Sequence, residues 1–528
     1  MAENREPPCH NLLTEPLIRT ESREGTTKSR TLPGVLAALA NAEDLSSFPG
    51  LQPHQWHAWH AFLVQLAALA AADDRDAHPT TEDGWRSALR GLTPDHPQDE
   101  PWCLVVLDLA QPAFMQPPIP EGSLTKFEGP YATPDASALD VLVTATDHDI
   151  KVERQGQPEA DNWLFCLVAY QTLSGYSGRN NHGVIRMNGG YATRPLVGLA
   201  RSRDWSDLFR RDLAVLQDNH DAAKRAKGLT APAWRLLWLA PWDGEASIPW
   251  ADCDPYAIEV ARRVRLTEEP RGLLAWRRPT SAPRLSPKSD VLKGNVGDPW
   301  IPLTSAGEAA NVGETGWHYD LLRKILLEDG YTWAPCQRPR GDDPKDLWFY
   351  AVGLARGQGK TDGFHERWLP IPPPVSVRLF APESRRELGE VAKERVARTG
   401  EARKVLHQAL VILLTSAPPK PDFRDYSDRR WLERFDAHVD AVFFDALWND
   451  ADKTKDQQKV SWDHTLRRII EERIWPDAEA EAPVADARRE RAQARAWMVL
   501  RGRLKKTIPY AYTDEEQSHA ASRRKRIG

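Results

Sequence analysis

Cysteine, long apolar runs and excess charge are all scarce in this sequence, and each scarcity excludes a class of protein. The five cysteines stand singly, without a CxxC pair, which argues against a zinc knuckle or a disulfide framework and fits a reducing cytosol. No apolar run reaches the roughly 18 residues of a membrane-spanning helix, and the first residues lack an apolar signal region. We therefore expect a cytoplasmic protein without a membrane partner.

Positive charge is not in excess either, since the formal net charge is −5. Any contact with nucleic acid must therefore depend on local basic patches. What the sequence does contain is 21 tryptophans and 42 prolines in 528 residues. That length allows about two to four domains with sizeable cores, and the prolines indicate ordered but irregular connections.

The character of the chain changes near Pro374. Before it, predicted helices alternate with short apolar runs that predict strands; the helices are Leu36–Leu45 and Trp56–Ala72, and the strands are Cys103–Leu107, Trp234–Leu239, Ala257–Leu266 and Leu273–Arg278. After it, four segments have helical periodicity, namely Glu383–Thr415, Arg429–Trp448, Asp456–Glu472 and Ala485–Lys506. We predict an α+β fold: a large mixed N-terminal domain of helices and small β-sheets, residues 1–373, followed by a C-terminal antiparallel four-helix bundle with a basic tail, residues 374–528.

The segment Arg356–Thr361 follows the apolar run Leu347–Val352 and looks like a phosphate-binding loop. A true P-loop needs a glycine where this chain has Leu354. Prolines from Pro370 onward also exclude the helix whose N-terminus would face a phosphate. A P-loop-like nucleotide hydrolase is therefore the less favoured alternative. No Ser-His-Asp, HExxH or paired-carboxylate spacing occurs, so we predict no catalytic residue.

A second glycine-rich segment, Ser177–Gly190, combines cationic and amide side chains after a predicted helix, Trp163–Leu173. Asn188-Gly189 is typical of a hairpin turn. Such a turn needs neither a cation nor two adjacent amides, whereas glycine lets a backbone approach a groove and Asn and Arg read the minor groove of DNA. The candidate DNA contacts of this segment are Gly178, Arg179, Asn180, Asn181, His182 and Gly183.

The last predicted helix carries a basic face opposite its apolar one; the basic residues are Arg488, Arg491, Arg495 and Lys506. This face is either an ordinary solvated surface or a contact with a nucleic-acid backbone.

A third pattern consists of three histidines spaced three residues apart, His54, His57 and His60. Helical metal ligands prefer a spacing of four with a further ligand nearby, so structural histidines are favoured and we expect neither a metal nor a cofactor.

Several segments, taken in chain order, resemble CasA, the large subunit of Cascade, which is the type I-E CRISPR surveillance complex. They are the opening Asn11–Ile18, the segment Pro112–Gln116, the glycine-rich loop before Gly189-Gly190, the loop around Gln358 followed by Glu366-Arg367, and the C-terminal helices. The resemblance covers nearly the whole chain. CasA-type subunits read the PAM, a short motif beside the target, from the minor groove. They insert a glutamine wedge to start strand separation, hold the displaced strand and help recruit the Cas helicase-nuclease.

The resemblance implies a non-catalytic DNA-recognition subunit for antiviral defence, with crRNA, the subunits CasB to CasE and double-stranded target DNA as partners. It assigns PAM recognition to Gly178–Gly183 and to either Lys288 or Lys293. The wedge would be Gly357, Gln358, Gly359 and Lys360, and the loop that touches crRNA or a neighbouring subunit would include Lys151, Val152 and Glu153.

Two departures from the family pattern matter. Relatives are more glycine-rich where this chain has Arg179–His182, which leaves its PAM open, and the cysteine cluster of some relatives is absent, so no zinc is expected. A tryptophan-rich scaffold that never touches DNA is a further alternative.

Overall fold

The computed structural model describes residues 10–72, 79–127, 132–140, 158–230, 232–328, 330–358, 360–415, 429–482 and 486–512. The chain forms two compact units, one of Met1–Trp317 and Gly330–Ile371, the other of His318–Asp329 and Pro372–Gly528. The first mixes helices with small sheets and the second is helical, which confirms the predicted α+β class. The boundary at Pro372 lies beside the predicted division, but residues 318–329 belong to the second unit.

Six α-helices lie in the described residues of the first unit. They are α1 (Leu32–Ala40), α2 (Trp56–Ala70), α3 (Glu82–Gly91), α4 (Ala160–Thr172), α5 (Trp205–Lys227) and α6 (Ser289–Leu292). The predicted helix Leu36–Leu45 is wrong at both ends. It begins earlier because Thr31 Oγ1 accepts the Gly34 N–H at 3.0 Å, and it ends at Ala40, shortly before Ala42 adopts a φ of 54°.

Helix α2 is the centre of the first unit. Its residues from His57 to Leu69 are all buried, and it packs against α4 and α5. Tryptophans fill much of the surrounding core, and the fully buried ones of this unit are Trp59, Trp85, Trp102, Trp163, Trp238, Trp242 and Trp300. Large aromatic side chains contribute more buried apolar area per residue than any others, which explains the high tryptophan count.

The strands of the described residues form small sheets rather than one large one. They are β1 (Ile18–Glu21), β2 (Thr27–Arg30), β3 (Ala132–Thr133), β4 (Leu196–Ala200), β5 (Trp234–Leu236), β6 (Ile248–Pro249), β7 (Cys253–Ile258), β8 (Arg263–Glu269), β9 (Gly272–Arg278), β10 (Leu285–Ser286), β11 (Leu303–Thr304), β12 (Tyr331–Thr332), β13 (Leu347–Gly357) and β14 (Lys360–Ile371). The two three-stranded sheets are antiparallel, with orders β14-β13-β4 and β3-β9-β8.

Three strand predictions are wrong in whole or in part. The predicted strand Trp234–Leu239 ends as β5 at Leu236, after which residues 237–240 form turns and bends. The other two fail where a polar side chain binds the backbone or a partner strand is missing. The predicted strand Ala257–Leu266 is interrupted between β7 and β8, because the Arg262 N–H donates to Gln171 Oε1 at 2.8 Å instead of to a neighbouring strand. Residues 103–107 form no strand. Their apolar start is buried, but the β-pairing of these described residues is limited to an isolated bridge between Cys103 and Asn11. Burial without a partner strand gave the run its misleading pattern.

The second unit contains α7 (Tyr319–Leu327), α8 (Pro373–Leu379), α9 (Pro382–Leu414), α10 (Arg430–Asn449), α11 (Lys455–Arg468), α12 (Trp475–Ala480) and α13 (Asp486–Thr507). The four predicted C-terminal helices correspond to α9, α10, α11 and α13, and α9 packs against the other three. Their antiparallel order stays a prediction. None of the helices in the described residues is long and apolar enough to cross a bilayer.

The third of these helices is shorter than the predicted Asp456–Glu472. It passes into a π-helical turn, Ile469–Ile474, and then into α12. Pro476 in the first turn of α12 has no N–H to donate to the preceding turn, which accounts for the change of helical geometry.

Candidate nucleic-acid interface

Strands β13 and β14 form a long hairpin whose tip contains Gln358. The register pairs Gly357 with Lys360, and Gln358 is exposed at the connection; Gly359 lies outside the described residues. Strand β14 begins directly after this tip, where a P-loop would need a helix. Most of the predicted loop Arg356–Thr361 is therefore strand, and the nucleotide-hydrolase alternative loses its structural basis.

The charge of Lys360 at this tip is partly compensated. Its Nζ lies 2.6 Å from Oδ1 of Asp362, and this hydrogen bond raises the pKa of Lys360. A Cβ added to Gly357 would lie 3.1 Å from Lys360 Cε, the end of a flexible side chain that can move away. Gln358 is thus the exposed side chain of the described tip that has no such ion pair.

The glycine loop, defined here as Ser174–Gly190, contains neither helix nor strand, so the predicted hairpin at Asn188-Gly189 is wrong. Its tip is a tight turn in which the Asn181 N–H donates to the Gly178 carbonyl at 3.0 Å. Gly178 and Asn180 have φ angles of 98° and 66°, a left-handed backbone that glycine and asparagine tolerate best. Arg179 and Asn180 are exposed, whereas Asn181 and His182 are half-buried.

The glycines of this loop have different structural reasons. A Cβ on Gly178 would meet nothing within 4 Å, so only its backbone angle requires glycine. A Cβ on Gly183 would lie 2.7 Å from the Tyr176 backbone N. Gly183 therefore lets the loop close on its own backbone. The sequence suggested a different reason for glycine here, namely the approach of the backbone to a DNA groove.

A buried network of charges holds the base of the glycine loop. Arg194 is 3% exposed, and its Nη2 lies 2.7 Å from Oδ2 of Asp298, while Arg186 lies 3.4 Å from the same oxygen. The carboxylate of Glu259 accepts the Ile185 N–H at 3.0 Å. A buried charge is costly without its partner, so this network holds two points of the chain in place. One is Ile185-Arg186 within the loop, and the other is Arg194, shortly after it.

The hairpin and the glycine loop are neighbours. Strand β4, which follows the loop, pairs with β13 from Trp348↔Ala200 to Val352↔Leu196. Thr193 Oγ1 donates to the Leu354 carbonyl at 2.7 Å. Nearer the tips, Nη2 of Arg356 donates to Oγ of Ser177 at 3.2 Å. The two segments singled out from the sequence thus form one continuous surface.

Lys288 and Lys293 stand at the two ends of α6, which lies against the glycine loop. Lys288 is exposed and lies 3.3 Å from Asp290 Oδ2. Burial, then the charge of Arg262 and more weakly that of Lys288, lowers the pKa of His182. Lys293 is paired with Glu308. Both lysines are therefore beside the loop, and Lys288 has a weak effect on the charge of His182.

The basic face of α13 opposes a buried one formed by Ala492, Ala496, Leu500 and Leu504. Arg491 and Lys506 are exposed and Arg495 is half-buried. Two of the predicted contacts lie outside the described part of the structure. They are the side chain of Arg488 and the segment Lys151, Val152 and Glu153. The two exposed cations are available to a polyanion on this helix.

The three histidines of the α2 region are buried. Nε2 of His54 lies 2.7 Å from Asp140 Oδ1, and Nε2 of His60 lies 3.0 Å from Asp212 Oδ2. His57 is completely buried between them. Two of the three thus bind different carboxylates, and no group of metal-binding side chains occurs in the described residues.

The contact that ties the two segments together was missed by sequence reasoning. Ser177 and Arg356 each begin one of the segments singled out above, but they are 179 positions apart and nothing local shows that they meet. Thr280 donates its N–H to the Asn180 carbonyl at 2.9 Å, again from a distant segment. The sequence did offer one indication of this contact. It contains two glycine-rich segments, and one of them begins with an arginine, Arg356.

The mixed first unit and the helical second unit allow a comparison with known proteins over the whole chain. No protein-family model and no curated protein matches the chain. Among solved structures, Thermus thermophilus CasA matches with a TM-score of 0.62 and 14% identity, over 94% of this chain and 99% of that one. Thermobifida fusca Cse1 has a TM-score of 0.62 and 17% identity, over 96% and 99%.

A chain of a CRISPR RNA-guided surveillance complex also matches, with a TM-score of 0.54 and 14% identity, over 93% of this chain and 100% of that one. The chain therefore has the fold of CasA, also called Cse1, over nearly its whole length. This confirms the resemblance noted from the sequence.

Proposed function

We propose that this chain is the non-catalytic large subunit of an RNA-guided Cascade complex. Its CasA fold supports the assignment, as does the match to a chain of an RNA-guided surveillance complex. The observation that carries the proposal is the contact between the glycine loop and the hairpin tip, through Ser177 and Arg356 at 3.2 Å. A subunit that reads a short motif and opens the duplex beside it needs these two elements next to each other.

The glycine loop would read the PAM from the minor groove. Its exposed Arg179 and Asn180 supply the donors and acceptors that groove readout uses, with Asn181 and His182 behind them. Gly178 and Gly183 give the turn its shape, and Lys288 or Lys293 would contact the adjoining backbone. Because the minor groove distinguishes base pairs poorly, we expect tolerance of several PAMs.

The hairpin tip would act as the wedge. Gln358, flanked by Gly357 and Gly359 and followed by Lys360, is exposed on a stiff two-stranded support. Separating one stacked step costs a few kcal/mol. A rigid hairpin suits this task better than a mobile loop, because little of the insertion energy is spent in ordering the tip.

The remaining contacts would stabilise the opened complex. Arg488, Arg491, Arg495 and Lys506 would bind the backbone of the displaced strand, and Lys151, Val152 and Glu153 would touch the crRNA or a neighbouring subunit. CasB to CasE and the Cas helicase-nuclease complete the proposed partners, and the setting is antiviral defence in the cytoplasm.

Reconstitution of the complex with and without this chain tests the proposal. The probe is linear duplex with a fixed target and a randomised flanking motif. We expect binding only with the chain present, and enrichment of a restricted set of motifs. Single-stranded target, which needs neither a motif nor opening, should bind equally in both cases. Equal duplex binding without the chain, or no enriched motif, contradicts the proposal.

A further inference from the structure

Arg356 lies at the base of the hairpin tip, and its guanidinium leaves the hairpin to reach the glycine loop. Its Nη2 donates to Ser177 Oγ, whereas its Nε and Nη1 are buried without a hydrogen-bond partner. Within the described residues, no carboxylate pairs with this arginine. Ser177 is therefore the one described side chain that holds it, and the hydrogen bond joins positions 179 apart.

A second arginine supports the same loop from below. Arg262 is 4% exposed, and its Nη2 donates to Ser174 Oγ at 3.0 Å and to the Gly175 carbonyl at 2.6 Å. Burial lowers the pKa of Arg262, and the charge of Arg356 lowers it further. Two guanidinium groups thus bind the same loop, and the acceptors of both are neutral.

The position of Ser177 depends in turn on the tip of the glycine loop. Its N–H donates to the Asn181 carbonyl at 3.0 Å, which closes the turn that presents Arg179 and Asn180. A ligand that fixes this turn also fixes the backbone of Ser177, from which the hydroxyl reaches Arg356. The hydroxyl then fixes Arg356, two residues before Gln358.

We propose that Arg356 is a positioning residue that couples the two loops, so that DNA held by the glycine loop sets the orientation in which Gln358 meets the duplex. The inference rests on the proposed function and deepens it. Motif recognition by the glycine loop and duplex opening by Gln358 then occur as one event. The contact between Ser177 and Arg356 responds to the bound motif and also supports Gln358.

A double-mutant cycle in the reconstituted complex tests this coupling. The variants are Arg356→Met, Ser177→Ala, the double variant and Arg356→Lys. Arg271→Met, which removes the same charge from the exposed turn between β8 and β9, is the matched control. The rate of R-loop formation is measured on linear duplex with a PAM and on a target already unpaired beside the PAM.

We expect each single variant to slow opening of the linear duplex about tenfold, the effect of removing one hydrogen bond to a charged group. The double variant should be no slower than the slower single variant, because both substitutions remove the same hydrogen bond. Arg356→Lys retains a donor and should recover part of the rate. All variants should match the unsubstituted chain on the unpaired target, and the Arg271 variant should match it on both.

Multiplying effects in the double variant, or equal slowing on both targets, would overturn the coupling. If Arg356→Met does not assemble, Ser177→Ala and Arg356→Lys decide the question by the same comparison. The proposed function fails separately, if the unsubstituted complex opens linear duplex equally fast with and without a PAM. If opening depends on the PAM but none of these variants changes its rate, the coupling is refuted and the proposed function is not.

Discussion

Acidification should weaken the first unit through one side chain, His57 of α2. Its ring is fully buried and stacks on Phe364 of β14, with ring centroids 6.1 Å apart. Burial, followed by the nearby charges of His54 and Arg194, lowers the pKa of His57 from 6.5 to about 3. The folded protein therefore keeps this imidazole neutral at pH values where the unfolded chain already binds a proton.

The sign and size of the effect follow from this difference. Between pH 6.5 and about 3, each unit of acidification favours the unfolded state by about 1.4 kcal/mol. From pH 7 to pH 5, His57 alone should lower the free energy of unfolding by about 2 kcal/mol. Above pH 7 it should contribute almost no pH dependence, because both states are then neutral at this position.

Hydrogen exchange of the α2 amides, corrected for the pH dependence of intrinsic exchange, measures the opening free energy of this part of the chain. His57→Leu is the comparison, since leucine has a similar size and cannot bind a proton. The stability difference between the two proteins should shift by about 2 kcal/mol in favour of the variant between pH 7 and pH 5. An unchanged difference would refute the assignment of a neutral buried imidazole.

Two further predictions concern DNA. Replacing Arg179 or Asn180 by alanine should change which PAMs are accepted, at a cost of about 1–3 kcal/mol for each base that the variant can no longer read; a randomised-motif selection measures this, and a uniform weakening across motifs would indicate a phosphate contact. Reversing the charge of Arg491 and Arg495 together should reduce the slope of log binding constant against log salt by about 2. Titration of DNA binding over a salt series checks that value, and an unchanged slope would make the α13 face ordinary solvated surface.

The sequence predicted the features that depend on local chemistry. The stripe of α10 that includes Trp431, Phe435 and Val439 is buried as its spacing indicated, and the C-terminal helices begin and end within a few residues of the predicted bounds. The predicted absence of a helix directly after residue 361 is also confirmed, because β14 occupies that stretch up to Ile371.

What the sequence could not predict depends on partners distant along the chain. The start of the run 103–107 is buried although it forms no strand, and no local signal shows that a partner strand is missing. The hydrogen bond of Arg356 with Ser177 exists because β4 and β13 are neighbours in a sheet, although the two strands are far apart in the sequence.

The wedge role of Gln358 is the central claim and can be measured directly. R-loop formation by the complex containing Gln358→Ala is compared on linear duplex and on a target already unpaired beside the PAM. We predict a reduction on the linear duplex that corresponds to a few kcal/mol of unstacking energy, and little or no reduction on the unpaired target. Equal reduction on both targets, or no reduction on the linear duplex, would contradict the account.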